Sequence, residues 1–162
     1  MNEKYLLARH NFQNVRENGQ VTGFQVKVKI PYYRGVYISQ IESPMLKVND
    51  EEFSGEQITM SFTVHGPAVQ NSPLKTYTVK EMETASNARW WFGDPAIMTV
   101  KKPGGLKPGV YQVLFGIVAR NSYSRKGPVP PGGLAVPGKA DILDVGPAAV
   151  GYRVTQKMTL VR

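Results

Sequence analysis

Period-two alternation recurs along nearly the whole chain while helical period is almost absent, and this limits the fold more than any other feature. Phe24, Val26, Val28 and Ile30 fall on one face of an extended segment, with Gln25, Lys27 and Lys29 on the other. Ile58, Met60, Phe62 and Val64 alternate in the same way with Thr59, Ser61 and Thr63. Near the C-terminus, Tyr152, Val154, Gln156, Met158 and Leu160 alternate with Arg153, Thr155, Lys157 and Thr159. Such segments are half-buried strands of antiparallel sheets. The stretch Gly109–Ala119, GVYQVLFGIVA, is apolar on both faces and reads as a central strand covered on both sides.

Turn signals stand between these segments: ENG at Glu17–Gly19, the acidic tip NDEEF after Val48, HGP at His65–Pro67 and KPGGLKPG at Lys102–Gly109. The sequence therefore predicts an all-β fold, an antiparallel β-sandwich or open barrel. Residues 80–91 hold good helix formers without an apolar stripe and predict a single helical turn. Residues 122–147 are dense in Pro and Gly and unsuited to a core strand, yet they carry Val129, Leu134, Val136, Ile142 and Leu143. We expect an arm that packs on this domain or on another chain. A chain of 162 residues fits one domain, taken as 1–162, that buries roughly 70% of its unfolded surface without staples.

The chain has no cysteine, which removes disulfides, thiolate metal sites and thiol catalysis and suits a reducing cytosol. Its first residues have no apolar core of signal-peptide length, and no window approaches about 18 uninterrupted apolar residues, so we expect a cytoplasmic protein without a membrane span. The net charge of +8 raises nucleic acid as a partner, but the basic residues are scattered and no nucleic-acid module is legible. His10 and His65 lack ligand spacing and read as solvated surface residues. Asp50–Glu52 reads as an exposed hairpin tip, and Asp141 with Asp144 offers too few oxygens for a cation. Neither Gly-rich segment follows a phosphate-loop pattern. The sequence thus predicts no self-contained catalytic apparatus, cofactor or metal site on this chain.

What does stand out is aromatic. KIPYYRGVY sets Tyr32, Tyr33 and Arg34 between Pro31, which ends sheet pairing, and Gly35, which permits a sharp turn; NARWWFGDP sets Arg89, Trp90, Trp91 and Phe92 in consecutive positions. In a strand Trp90 and Trp91 point to opposite faces, so one of them belongs on an outer surface. Exposed Trp, Tyr and Arg are the residue types of interface hot spots. Packing of the two clusters against each other, and stacking on a carbohydrate, are the other readings.

From Phe24 to Tyr123 the chain resembles the small beta subunit of bacterial C-glycoside deglycosidases, in the order IPYYRG, acidic-tipped hairpin, RWWFG, GGL turn and apolar strand ending at Ser122–Tyr123. The arm at 122–147 departs from that pattern. The resemblance implies an alpha subunit, similar to TIM-barrel sugar isomerases, that holds a divalent metal (manganese or similar) and the catalytic base. It implies cleavage, by elimination, of the carbon–carbon bond between a 3-oxo sugar and an aromatic, flavonoid-like aglycone. This chain would then be an inactive subunit in a heterodimer or higher heteromer, stabilising the alpha subunit and shaping the site entrance through Tyr32, Tyr33, Arg34, Arg89, Trp90, Trp91 and Phe92. The alternative is a stand-alone carbohydrate-binding β-sandwich module.

Overall fold

The computed structural model describes residues 7–30, 35–65, 74–91, 93–120, 141–143 and 149–161. Twelve strands occur among them: β1 Leu7–Glu17, β2 Gln20–Val28, β3 Val36–Tyr37, β4 Ile41–Val48, β5 Glu51–Ser54, β6 Ile58–Thr63, β7 Leu74–Thr78, β8 Arg89–Trp90, β9 Ala96–Lys101, β10 Gly109–Arg120, β11 Asp141–Leu143 and β12 Ala149–Leu160. One five-stranded sheet runs β1-β2-β9-β6-β7, a second runs β11-β12-β10-β4-β5, and β3 with β8 forms a separate ribbon. Every pairing is antiparallel.

The two five-stranded sheets share one apolar core, so the expected sandwich is the fold and no barrel closes. Phe24, Val26 and Val28 of β2 and Ile58, Met60 and Phe62 of β6 are buried, as the alternation requires. From the other sheet come Leu46, Phe53, Val113, Phe115, Val154, Met158 and Leu160. Aromatic edges bridge the layers: Phe24 meets Phe53 at 5.3 Å between ring centroids, and Phe12 meets Tyr111 at 6.0 Å, both edge-on. Such contacts add about 0.5–1.5 kcal/mol each beyond the burial of their area.

β10 is the middle strand of its sheet, as expected, but its outer face is covered only in part. Val110 is 55% exposed, Leu114 and Val118 are half-buried, and the covering near Gly116 comes from the neighbouring side chains of Met45 and Arg153. Side chains of the same sheet lying across the strand therefore replace the expected full cover. The acidic tip turns at Asn49 (φ 52°), whose side-chain oxygen accepts from Gln112 N–H at 2.9 Å, and Asp50–Glu52 are exposed. Glu51 is not simply solvated: Lys102 Nζ lies 2.8 Å from it. Of the segment read as an arm, only residues 141–143 are described with structure, as an edge strand paired with β12; its remainder lies outside the described residues.

The predicted single helical turn is α1, Val79–Met82. Thr78 caps it by accepting from Glu81 N–H at 3.1 Å, while the Glu81 carboxylate accepts from Thr78 N–H at 3.1 Å. Hydrogen bonding of the carboxylate to the Thr78 backbone N–H and to the Thr78 side chain, with Lys75 nearby, holds the Glu81 carboxyl below its ordinary range. A depressed carboxyl stabilises the cap above its unfolded pKa and releases it only as pH falls through the folded one, on the acid side. Met82, one residue on, is buried in the core and fixes the turn against the sandwich.

Close backbone approach sets one requirement sharply. Gly23 lies beside the irregularity at Val15/Arg16, and a Cβ there would stand 1.9 Å from Val100 O and 3.0 Å from Val100 C on β9. We expect Gly23→Ala to lower unfolding free energy by at least about 2 kcal/mol, and Gly109→Ala, whose nearest neighbour would be Tyr111 Cε2 at 3.9 Å, to change it by less than about 1 kcal/mol. Urea unfolding of the two variants checks this, and equal midpoints would refute it.

Candidate functional site

The ribbon at one end of the sandwich joins the two aromatic segments that lie far apart in sequence. Val36 pairs with Trp90 and Tyr37 with Arg89, so the inward positions hold Val36 and Trp90 and the outward ones Tyr37 and Arg89. Ile38 N–H donates to Ala88 C=O at 3.0 Å and Ser39 N–H to Ala85 C=O at 3.1 Å, which ties the ribbon to the chain after α1.

Trp90 is 1% exposed, packs on Phe62 at 5.3 Å between centroids, and donates its indole N–H to Asp94 C=O at 2.9 Å. Alternation sends Trp91 the other way, where it is 42% exposed. The outer tryptophan is therefore Trp91, and Trp90, counted among the interface candidates from sequence, is a core residue. Gly35 has no positive φ among the backbone outliers; a Cβ there would instead stand 3.1 Å from Trp90 O and 3.2 Å from Trp91 Cε3. Close approach to the tryptophans, not a sharp turn, is what position 35 demands. Tyr32, Tyr33, Arg34 and Phe92 lie outside the described residues.

Outside the core, the Arg89 guanidinium carbon sits 4.3 Å from the Tyr37 ring centroid and 5.2 Å from that of Trp91. Each such contact contributes about 0.5–2 kcal/mol, more where water is excluded. Arg89 Nε is buried and has no hydrogen-bond partner. An unsatisfied donor of that kind costs about 1–3 kcal/mol, so ring stacking and packing, not hydrogen bonding, hold this arginine in place. Beside it the His65 ring meets Trp91 edge-on at 6.4 Å, and His65 Nε2 contacts the Asp94 carboxylate.

These groups line a groove of about 450 Å³ between β6, β7 and the ribbon. Tyr37, Arg89 and Trp91 form one side; His65, Lys75 and Tyr77 contribute from the sheet. Lys75 Nζ lies 5.2 Å from the Tyr77 ring centroid. No Asp or Glu lines the groove among the described residues, and Asp94 already faces His65. Aromatic faces, cations and an imidazole can bind and orient an anionic or aromatic group.

A larger hollow of about 730 Å³ beside β4 holds Glu42, Glu52, Glu83 and Arg153 and, among the described residues, no aromatic ring. Neither hollow holds a metal site: among the described residues no three His, Asp or Glu side chains converge to hold an ion. His10 stands in β1, with its side chain outside the described residues, as are Asp144 and the side chain of Asp141.

Tyr37, His65, Lys75 and Asp94 were not singled out from sequence as site residues. Tyr37 follows Gly35 closely and so belongs to the first aromatic cluster, but the His65–Asp94 contact joins separate turns and leaves no local signal.

A family model described as C-glycoside deglycosidase beta subunit matches residues 2–123, which include every described residue of the groove. A protein of Eubacterium cellulosolvens (strain ATCC 43171 / JCM 9499 / 6) named C-glycoside deglycosidase beta subunit is 38% identical over 122 residues, covering 75% of this chain and 76% of its own.

The two tryptophans should behave oppositely in the isolated chain. We expect Trp90→Ala to cost about 3–5 kcal/mol of stability through the cavity it leaves and Trp91→Ala less than about 1 kcal/mol. Denaturant unfolding measures both, and a similar loss from each would place Trp91 in the core.

Proposed function

The chain belongs to the family of C-glycoside deglycosidase beta subunits, and we propose that it is the non-catalytic half of a carbon–carbon lyase whose alpha subunit carries the reacting groups. As a beta subunit it is a member of an enzyme complex and has an alpha subunit for a partner. The finer reading follows the chemistry. Separating a 3-oxo sugar from an aromatic, flavonoid-like aglycone by elimination requires a base for the proton beside the ketone and a stabilised enolate. We assign both tasks, with a divalent cation such as manganese and a TIM-barrel frame, to the alpha subunit. No cluster of metal-ligand side chains occurs among this chain's described residues, and no step is assigned to them.

The observation that carries the reading is the Tyr37–Arg89–Trp91 stack. It is large, partly exposed and outside the sandwich core. Residues of these types in one patch are the anchors of protein interfaces. We propose that this stack, together with Tyr32, Tyr33, Arg34 and Phe92 of the same two sequence segments, docks the alpha subunit, stabilises it and shapes the entrance to its site. A sugar platform is less well served, because the guanidinium already lies over a face of each ring. Among the described residues no helix is long and apolar enough to cross a membrane. Together with the absence of cysteine, this supports a cytoplasmic complex.

The purified single chain, supplied with manganese, is expected to leave a 3-oxo C-glucoside intact, and the co-expressed pair to cleave it; cleavage by the single chain would overturn the assignment. In the pair, Trp91→Ala and Tyr37→Ala should each weaken association by about 1–4 kcal/mol. Titration of the alpha subunit reads this directly. His65→Ala should leave kcat of the saturated complex within a few-fold, whereas loss of a general base costs a factor of about 100 to 10,000. A drop of that size with the complex intact would make the His65–Asp94 pair part of the catalytic site.

A further inference from the structure

We infer that the groove between β7 and the ribbon receives an Asp or Glu side chain of the alpha subunit, gripped by the terminal nitrogens of Arg89 and flanked by the charge of Lys75. The inference rests on the proposed docking role of the Tyr37–Arg89–Trp91 stack and specifies what that stack recognises.

A guanidinium binds ring faces with its own plane and carboxylates with its rim. The Arg89 guanidinium carbon lies over the rings of Tyr37 and Trp91, at 4.3 and 5.2 Å from their centroids, and these rings offer no carboxylate for its N–H donors. Nε is closed off from solvent without an acceptor, but the residue as a whole is only half-buried, and the nitrogens at the terminal end of the fork are not among the buried unpaired atoms. That end makes no hydrogen bond or ion pair among the described residues. The arginine is thus fixed in position before any partner arrives, and little side-chain freedom remains to be lost on binding.

The surroundings select the charge of what binds. His65, Lys75 and Arg89 line the groove, and among the described residues no carboxylate does; Asp94, a nearby acid, faces His65. Lys75 is on the inward side of edge strand β7, opposite Phe62 in the pairing register, and is exposed there. Glu81 is the carboxylate whose charge it influences, and that group is held by Thr78 in the cap of α1. Phe62, Tyr77 and Ile38 supply apolar lining next to the cations, which suits a carboxylate beside an apolar side chain. A second copy of this chain fits poorly, since each copy carries a net charge of +8 and Glu51 of its acidic tip is paired with Lys102.

The test titrates the alpha subunit with the full chain at low and high salt. Arg89→Gln should weaken binding at least about 30-fold and flatten its salt dependence, and Arg89→Lys about tenfold, because an ammonium keeps the charge but lacks the fork. Lys75→Gln should cost about three- to tenfold, chiefly at low salt. Carbodiimide labelling of the saturated complex should find one Asp or Glu of the alpha subunit protected with the wild-type chain and labelled with Arg89→Gln. Wild-type affinity and salt dependence in both Arg89 variants would overturn the inference. So would protection that maps to this chain's own carboxylates or to none. Should the Arg89 variants fail to fold, Lys75→Gln, at an exposed position, decides by its salt dependence, and an unchanged one counts against the inference. If Trp91→Ala weakens binding while the charge variants do not, the docking role stands and the carboxylate anchor falls; if Trp91→Ala is also silent, both fall.

Discussion

Trp90 links the interior of this protein to the aromatic surface beside the groove. Its ring is buried against Phe62 and its indole N–H is spent on the Asp94 carbonyl, so the strand through it has one permitted orientation. Because neighbours in a strand alternate, burying Trp90 puts Arg89 and Trp91 outward, and pairing with Val36 puts Tyr37 beside Arg89. The hydrogen bond to Asp94 also holds the turn that sets that residue's carboxylate on His65. One core residue thereby places Tyr37, Arg89 and Trp91 on the groove and sets the Asp94 carboxylate against His65. A ribbon of two residue pairs could not do so alone, since short two-stranded pieces are marginal in water.

Much of this was legible in the sequence. The buried faces Phe24/Val26/Val28, Ile58/Met60/Phe62 and Val154/Met158/Leu160 follow strict alternation, and the single turn of α1 follows from helix formers without a stripe. The need for one outward tryptophan was legible too, but which of Trp90 and Trp91 it would be was not: alternation fixes the difference between neighbours and not the sign. The sign came from β3, whose two paired residues are too few to carry a period. Lys75 in the groove and Asp94 on His65 carried no local signal, because they come from strands and turns that meet their partners only in the fold. β10 misled for a related reason. Leu114 and Val118 read as buried on a second layer, whereas cover on that face also comes from long side chains of adjacent strands.

The edge of the first sheet shows how one charge serves two purposes. Among the described strands β7 has one neighbour, β6, and an edge strand invites pairing with other chains. Lys75 on its inward side makes such pairing unfavourable, since a second sheet edge would have to bury the ammonium. The same ammonium faces the groove. A surface that repels uncharged strands therefore favours an acidic partner, without any change in shape.

Stacking and specificity are linked through the geometry of the guanidinium. A free surface arginine samples many rotamers and meets any anion weakly, and the median exposed ion pair contributes less than about 1 kcal/mol. With two ring centroids within about 6 Å, Arg89 keeps its charge but loses most of that freedom. The buried Nε shows that this order is held at a cost within the free chain, because water no longer reaches a donor that has no acceptor. Packing against Tyr37 and Trp91 offsets that cost. An arginine held over two rings, with no acid among the described residues that line the groove, discriminates by charge, and this favours a carboxylate on a folded partner over the faces of a sugar ring.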